Sequence, residues 1–474
     1  MQDLAQLTRE DLKKLSKDQL IDIILLLIKR DEEKQKQIEV LQKKVEELER
    51  KLALRDKDSN NSSKPPSSDN KPNKDLNLRE KSGKPTGGQK GHPGFTRKLV
   101  ANPDKVVKHS PEACKCCGKA LCDIEGSVKG RRQVVDIPPI KAEVTEHQQL
   151  EKTCPSCGHK NTGRFPDEVR APVQFGPYFQ SLILYLSIRH HIPYNRVAEI
   201  MEELIGEKIS ERTIENILEL ANKRAGPIYE LIKKRLKGSK CVGSDETGTR
   251  VNGINFFLWV WQNLFYSFFA VDKKRSYKVI QKHFQEGFKG ALVHDCFGAQ
   301  NKTQAKKHQL CHAHLLRDLK YCIQEESSLW AYEVTVLLLS SQKVRPIIWE
   351  RGFDKKRRER IINAFEKRLD KLLTRVVSGK ETIKLQKRIK KHKDKILFFM
   401  TTKDVPPDNN GSERAIRNAK IHKKISGGFR NELAAQRYAV LMSIIDTAKK
   451  QGLKMFDACQ RLFKGTLAFQ PTPC

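Results

Sequence analysis

Residues 240–251 read "KCVGSDETGTRV". A short apolar run leads into Asp245 and Glu246, and Gly248 marks a turn after them. Residues 290–300, "GALVHDCFGAQ", repeat the pattern: Ala291, Leu292 and Val293 precede Asp295, and Gly298 follows. Each stretch reads as a buried strand ending in a carboxylate. Desolvating such a group is costly unless a cation stands beside it. Two of them on neighbouring strands repel each other, and a pair of divalent ions turns that repulsion into binding. Mg²⁺ takes oxygen ligands and keeps several waters, so two or three carboxylates suffice.

A third acid lies far downstream, in "PPDNNGSERAIRNAKIHKKISGGFR" (406–430). Between Gly411 and Arg430 there are six Lys or Arg residues and a single acid, Glu413. The turn "PPDNNGS" leads into a helix that Ser412 or Asn410 can cap. Glu413 in its first turn reads as the third metal ligand. Arg414, Arg417 and Lys420 are spaced to approach a phosphodiester held at the same metals, and Lys423, Lys424 and Arg430 extend the basic surface. Three successive strands (the one through Asp245, then "INFFLWVWQ", then "LFYSFFAVD") precede the helix "SYKVIQKHF". A fourth strand ends at Asp295, a fifth is expected near 309–313, and basic helices separate it from Glu413. That order is the ribonuclease H-like arrangement, in which adjacent strands bring the aspartates together and a late helix lays the glutamate over them.

The bulk charge fits a polyanionic partner. The 474 residues carry 91 Lys and Arg against 57 acids, a formal charge of +34. Residues 351–400 alone hold 18 basic and six acidic side chains, so this helical region concentrates the charge. Nucleic acid is the expected partner; an anionic membrane surface is the main competitor. "LIDIILLLIK" carries Asp22 and is too short to span a bilayer, and no secretory leader is legible, so no membrane role is expected. Twelve cysteines without an export signal point to a reducing cytoplasm, where clustered thiols bind metal rather than pair.

Cys114 and Cys117, followed by Gly118, form one C-x-x-C-G turn, and Cys154 and Cys157, followed by Gly158, form another. Four thiolates suit a closed, structural Zn²⁺ site, and a strand-forming spacer between the turns makes it a zinc ribbon. Cys116 and Cys122 leave the register of the first turn open. "LCHAHLLRDL" (310–319) gathers Cys311, His312 and His314, but alternation along a strand would scatter them over both faces, so it reads as strand-end packing rather than metal binding.

The expected organisation is multidomain α+β. Residues 1–55 form a leucine-zipper-like coiled coil with a seam at Ile38, Leu41, Val45, Leu48 and Leu52. Residues 56–108 form a basic disordered linker, 109–165 the zinc ribbon, and 166–236 a helical segment resembling a helix-turn-helix. Glu211, Glu215 and Glu219 stack on one face of its second helix, which suits packing better than DNA. A ribonuclease H-like catalytic core at 237–450 carries a basic helical insertion at about 322–403, and 451–474 form a C-terminal helix and tail.

Together these stretches resemble the insertion-sequence sixty-six family of bacterial transposases, nearly end to end. The resemblance is carried by "NSSKPPSSD", "GGQKGHPG", "CKCCG", "CPSCG", "SDETG", "VHDCFG", "LCHAHLLRDL", "DNNGSERAIR" and "SGGFRNELAAQRYAVLMSIIDTAKKQG". It implies a leucine-zipper-like N-terminus, a zinc-binding domain and a DDE-type core in which Asp245, Asp295 and Glu413 are the metal-binding triad. The implied chemistry is hydrolysis of a phosphodiester at an element end, then attack of the freed 3′-hydroxyl on target DNA, with two Mg²⁺ or Mn²⁺ ions. It further implies double-stranded DNA as partner, a homodimer or higher oligomer through the coiled coil, accessory proteins from the same element, and a place in the bacterial cytoplasm at the nucleoid. The rivals are an inactive or domesticated DNA-binding copy, and a nuclease or resolvase without strand transfer.

Overall fold

The computed structural model describes residues 97–471, together with 31–42 and the isolated positions 16, 44, 91, 93 and 94. Residues 31–42 are helical, with Ile38 and Leu41 exposed. The rest of the expected zipper seam (Val45, Leu48, Leu52) and most of the expected 56–108 linker lie outside the described residues. Two compact units are present, one holding 226–453 with 468–471, the other 97–225 with 454–467.

In the second of these units, β1 (Glu151–Thr153) and β2 (Lys160–Thr162) form a small antiparallel hairpin around the second C-x-x-C turn. The spacer expected to form strands does not: residues 123–150 carry no strand. Its β-branched residues, such as Val134 and Val144, are almost wholly exposed, so nothing covers a sheet there. Three helices follow: α1 (Pro177–Leu184), α2 (Tyr194–Ile205) and the long α3 (Glu211–Lys237), whose second half, from Gly226 and Pro227 onward, belongs to the other unit. The far C-terminal helix Met455–Phe463 returns to pack on α1, with the Tyr178 and Phe456 rings edge-to-face at 5.1 Å.

The larger unit is built on a five-stranded sheet. Its strands are β3 (Cys241–Val251), β4 (Ile254–Gln262), β5 (Ser267–Asp272), β6 (Phe288–His294) and β7 (Ala305–Leu310), in the order β5-β4-β3-β6-β7. β3, β4 and β5 are antiparallel neighbours, whereas β3–β6 and β6–β7 pair parallel. The helix α4 (Tyr277–His283) lies between β5 and β6, and a single turn, α5 (Gly298–Asn301), lies between β6 and β7. β3 does not turn at Gly248 as expected; Gly248 sits opposite Phe257 and the turn comes at Asn252–Gly253. The aromatic strands make the core. Trp259 and Trp261, two residues apart on one face, stack at 5.8 Å, and Phe284 lies 5.1 Å from Trp261.

The edge strand β5 is sealed by α11 (Glu432–Lys450). Ser443 Oγ accepts the Phe269 amide at 2.9 Å, Thr447 Oγ1 accepts the Ser267 amide at 3.1 Å, and Gln436 Nε2 donates to the Val271 carbonyl at 2.6 Å. Residues 436, 443 and 447 form one helical stripe, so a single face satisfies the strand's open hydrogen-bonding edge. Between β7 and Glu413 stand α6 (His312–Glu326), α7 (Leu329–Glu350), α8 (Lys355–Leu373) and α9 (Lys380–Lys391). Their apolar faces share one core with Ala291, Val293 and Leu310 of the sheet. The insertion is therefore a continuation of the sheet's own core.

Candidate active site

Asp245 sits midway along β3, and its Oδ1 accepts the amide of Glu246 at 2.9 Å. Asp295 follows the last residue of β6; its Oδ1 accepts the Phe297 amide at 3.1 Å. Glu413 stands in the first turn of α10 (Asn410–Ser426). That helix starts where it does because β3 makes room for it. A Cβ on Gly243 would come within 2.6 Å of Ser412 Oγ and 2.7 Å of Asn409 Oδ1, so only glycine lets the helix start sit directly on the strand. Asn409 Nδ2 then donates to the Ser244 carbonyl at 2.8 Å, and Ser412 Oγ donates to Asn409 Oδ1 at 2.7 Å. Neither Asn410 nor Ser412 caps the helix as expected; both Asn409 and Ser412 are used to fasten it to the sheet.

Charge from Glu413 reaches both aspartates. Loss of solvent raises Asp245 well above the usual carboxylate range, and the charges of Glu246, Asp295 and Glu413 push the same way. Asp295 is pushed up to about 6, first by burial and then by Glu246, against the pull of the Phe297 amide and Arg275, with Glu413 adding to the push. A rise from the ordinary 3.8 to about 6 corresponds to roughly 3 kcal/mol of unfavourable ionisation. Asp245 and Asp295 thus sit in one under-neutralised field to which Glu413 adds, which is the electrostatic setting a divalent cation relieves. Their oxygens do not all lie within 4.8 Å of one another.

Groups the sequence reading missed surround them. Glu246 is almost fully buried and is held by Arg275, through Nε at 2.8 Å and Nη2 at 2.7 Å, and by Gln300 Nε2 at 2.6 Å. Arg275 lies over the Phe297 ring at 4.2 Å, so this cluster fixes the loop that carries Asp295. On the other side, Arg317 Nη2 is 3.4 Å and His314 Nδ1 3.8 Å from Glu413 Oε1. Both come from α6. The stretch "LCHAHLLRDL" is a helix start rather than a strand end: β7 stops at Leu310 and α6 begins at His312. Helical spacing of three therefore brings Cys311, His314 and Arg317 to one face. His312 turns away into the core, between the Ile396 carbonyl (2.8 Å) and Gln342 (3.0 Å).

The expected phosphate-binding residues fall on two sides of α10. Arg417, Lys420 and Lys424 are exposed and follow Glu413 at helical spacing, on its face. Arg414 lines a groove of about 1330 Å³ with Lys234, Arg235, Lys240, Lys289 and Lys449. Lys423 Nζ donates to the Gly248 carbonyl at 3.3 Å. Arg430 is exposed just beyond Gly428, whose φ of 146° and 2.5 Å approach of a would-be Cβ to the Arg250 carbonyl permit no other residue without strain.

The two cysteine turns are formed alike. Gly118 and Gly158 have φ of 73° and 71°, and their amides donate to the carbonyls of Cys114 and Cys154, each at 2.9 Å. Amides of Cys117 and Cys116 lower the Cys114 thiol, and those of Ser156 and Cys157 lower Cys154, which favours thiolates. The four sulfurs are not gathered at one point. Among the described residues, the donors that do converge within 4.8 Å are Cys311, His314 and Glu413.

Comparison with known proteins gives three family matches. The model described as Transposase IS66 family matches residues 172–437, more than half of the chain and including all three acids. The zinc-finger binding domain of transposase IS66 matches residues 111–159, and a family of unknown function matches 5–98. The chain is also 25% identical over 120 residues to the uncharacterized protein y4jO of Sinorhizobium fredii, covering 24% of this chain and 37% of that protein. It thus spans little more than a third of the curated relative it matches.

Proposed function

This chain belongs to the IS66 family of transposases, and from that premise we propose that Asp245, Asp295 and Glu413 are its catalytic carboxylates. They would hold divalent Mg²⁺ or Mn²⁺ for cutting phosphodiesters at element ends and joining the 3′-hydroxyl to target DNA. The observation that carries this reading is that Asp245 and Asp295, from distant segments, are both held up by burial and by the acids around them, with Glu413 adding to the push on each. Without a cation, Asp245 and Asp295 resist ionising; hard divalent ions suit such an all-oxygen set. When bound, the metals would supply Lewis-acid activation of water or hydroxyl and neutralise charge on the leaving oxygen.

The chain's own groups do the positioning. Glu246, Arg275 and Gln300 orient the Asp295 loop, and Arg317 holds Glu413. The strand order β5-β4-β3-β6-β7, three antiparallel strands followed by two parallel ones, supports the ribonuclease H-like reading of the core. Arg417, Lys420 and Lys424 would bind phosphates next to the cut, and the groove lined by Arg414 would hold another stretch of DNA backbone; Lys423 and Arg430 extend this surface. Zn²⁺ would be held by Cys114, Cys117, Cys154 and Cys157, as the matching turns and amide-stabilised thiols support. Self-association would run through the N-terminal helix. No helix among the described residues is long and apolar enough to cross a membrane.

Supercoiled acceptor DNA, element ends and Mg²⁺ are the assay. Joined product is expected; cut ends without joining would favour a nuclease, and neither would favour an inactive DNA-binding copy.

A further inference from the structure

Cys311, His314 and Glu413 offer a sulfur, an imidazole nitrogen and a carboxylate oxygen that all lie within 4.8 Å of one another. Tetrahedral Zn²⁺ bonded at about 2.0–2.3 Å needs its donors roughly 3.3–3.8 Å apart, so small side-chain rotations close the set. The backbone favours it. Cys311 precedes the first turn of α6 and His314 stands one turn on, so the two project together. Cys311 Sγ already accepts the Asn409 amide at 3.1 Å, with the amides of His314 and Ala313 also directed at it; burial nonetheless pushes the thiol up to about 12, so the ion itself has to displace the proton. Amides around sulfur are also what the two C-x-x-C-G turns provide.

Hardness separates this set from the catalytic one. Asp245 and Asp295 offer only oxygen, which suits Mg²⁺, whereas thiolate and imidazole select Zn²⁺ over Mg²⁺. Glu413 is the ligand common to both. The thiol and His314 Nδ1 are buried, but the Glu413 side chain keeps an exposure of 29%, so an ion would enter past Glu413. Three protein ligands leave one position for water. Arg317 Nη2, 3.4 Å from Glu413, is the competing cation that Zn²⁺ would displace.

We propose that Cys311, His314 and Glu413 form a second, zinc-selective site, and that Zn²⁺ bound there draws Glu413 away from the catalytic metals and shuts off cleavage. The inhibitory half rests on the reading of Glu413 as a catalytic ligand; the binding half does not. Binding releases the Cys311 proton to solvent as the S–Zn bond forms, with no redox change.

The test uses the full chain, stripped of metal and titrated with Zn²⁺ against a chromophoric chelator, and with Co²⁺ to reveal thiolate charge-transfer absorption. Wild type is expected to bind two ions, one at the cysteine turns and one here. Cys311→Ser and His314→Gln should each weaken the second at least tenfold and leave the first intact; two variants guard against one misfolding, which circular dichroism would reveal. In Mg²⁺-dependent cleavage, added Zn²⁺ should inhibit wild type and spare Cys311→Ser. A single bound ion in wild type, or unchanged second-site binding in both folded variants, overturns the site, even where Glu413→Gln abolishes cleavage. A second zinc that leaves cleavage untouched overturns the coupling; if Glu413→Gln still cuts DNA, the catalytic reading has failed instead.

Discussion

Asp295→Asn should stabilise the protein while destroying its activity. In the absence of Mg²⁺, ionising Asp295 is disfavoured, because its carboxyl is pushed from an ordinary 3.8 up to about 6. A folded value above the unfolded one means that the group stabilises the fold fully below about pH 3.8 and that this contribution is lost as pH rises through about 6. The gap between 3.8 and about 6 amounts to about 3 kcal/mol, and residual solvent screening lowers the expected gain to about 1–3 kcal/mol. Asparagine keeps an oxygen for the Phe297 amide and carries no charge against Glu246 and Glu413. For a unit of this size that is a rise in Tm of about 2–10 °C at pH 7.5. The assay is thermal melting of zinc-loaded, Mg²⁺-free wild type and variant from pH 4 to 8. The gap should be widest above pH 6.5 and vanish near pH 4. A variant less stable than wild type at pH 7.5 would refute the reasoning, because it would make Asp295 an ordinary structural acid.

Mn²⁺ should raise the Tm of wild type at pH 7.5 and do so much less at pH 5, where protons compete at Asp295; equal stabilisation at both values would count against metal binding there. Gly243→Ala should leave the two cysteine turns intact and lower cleavage at least tenfold, because its methyl would strike Ser412 and Asn409 and lift the helix that presents Glu413; wild-type turnover would contradict that. Ser443→Ala and Thr447→Val each leave a β5 amide without its acceptor and should cost about 1–3 kcal/mol in urea unfolding, with more aggregation through the bared edge.

Much of the larger unit is legible in the sequence because its signals are local. The apolar runs before Asp245 and Asp295 read as strands and are strands, although β3 runs on past Asp245 instead of ending there, and the aromatic runs of β4 and β5 fall where expected. Glu413 stood out as the lone acid among bases. Failures came where short windows are ambiguous or partners are distant. Four residues, Cys311–His314, cannot distinguish strand alternation from a helix turn, and the wrong period scatters side chains that the helix start gathers. Gly248 read as a turn although cross-strand pairing with Phe257 carries β3 on to Val251. The Glu246–Arg275–Gln300 cluster joins residues 29 and 54 positions apart, which no local pattern announces. The zinc spacer read as strands from composition, but its valines have no core to cover them.

The most direct test is a strand-cleavage and joining reaction on element-end DNA with Mg²⁺, comparing wild type with Asp245→Asn, Asp295→Asn and Glu413→Gln, with DNA binding measured alongside. Each variant should bind DNA as wild type does and lose at least a thousandfold in both cleavage and joining. Any one that binds and still cuts at near wild-type rate would contradict the assignment of the three acids to a shared catalytic centre.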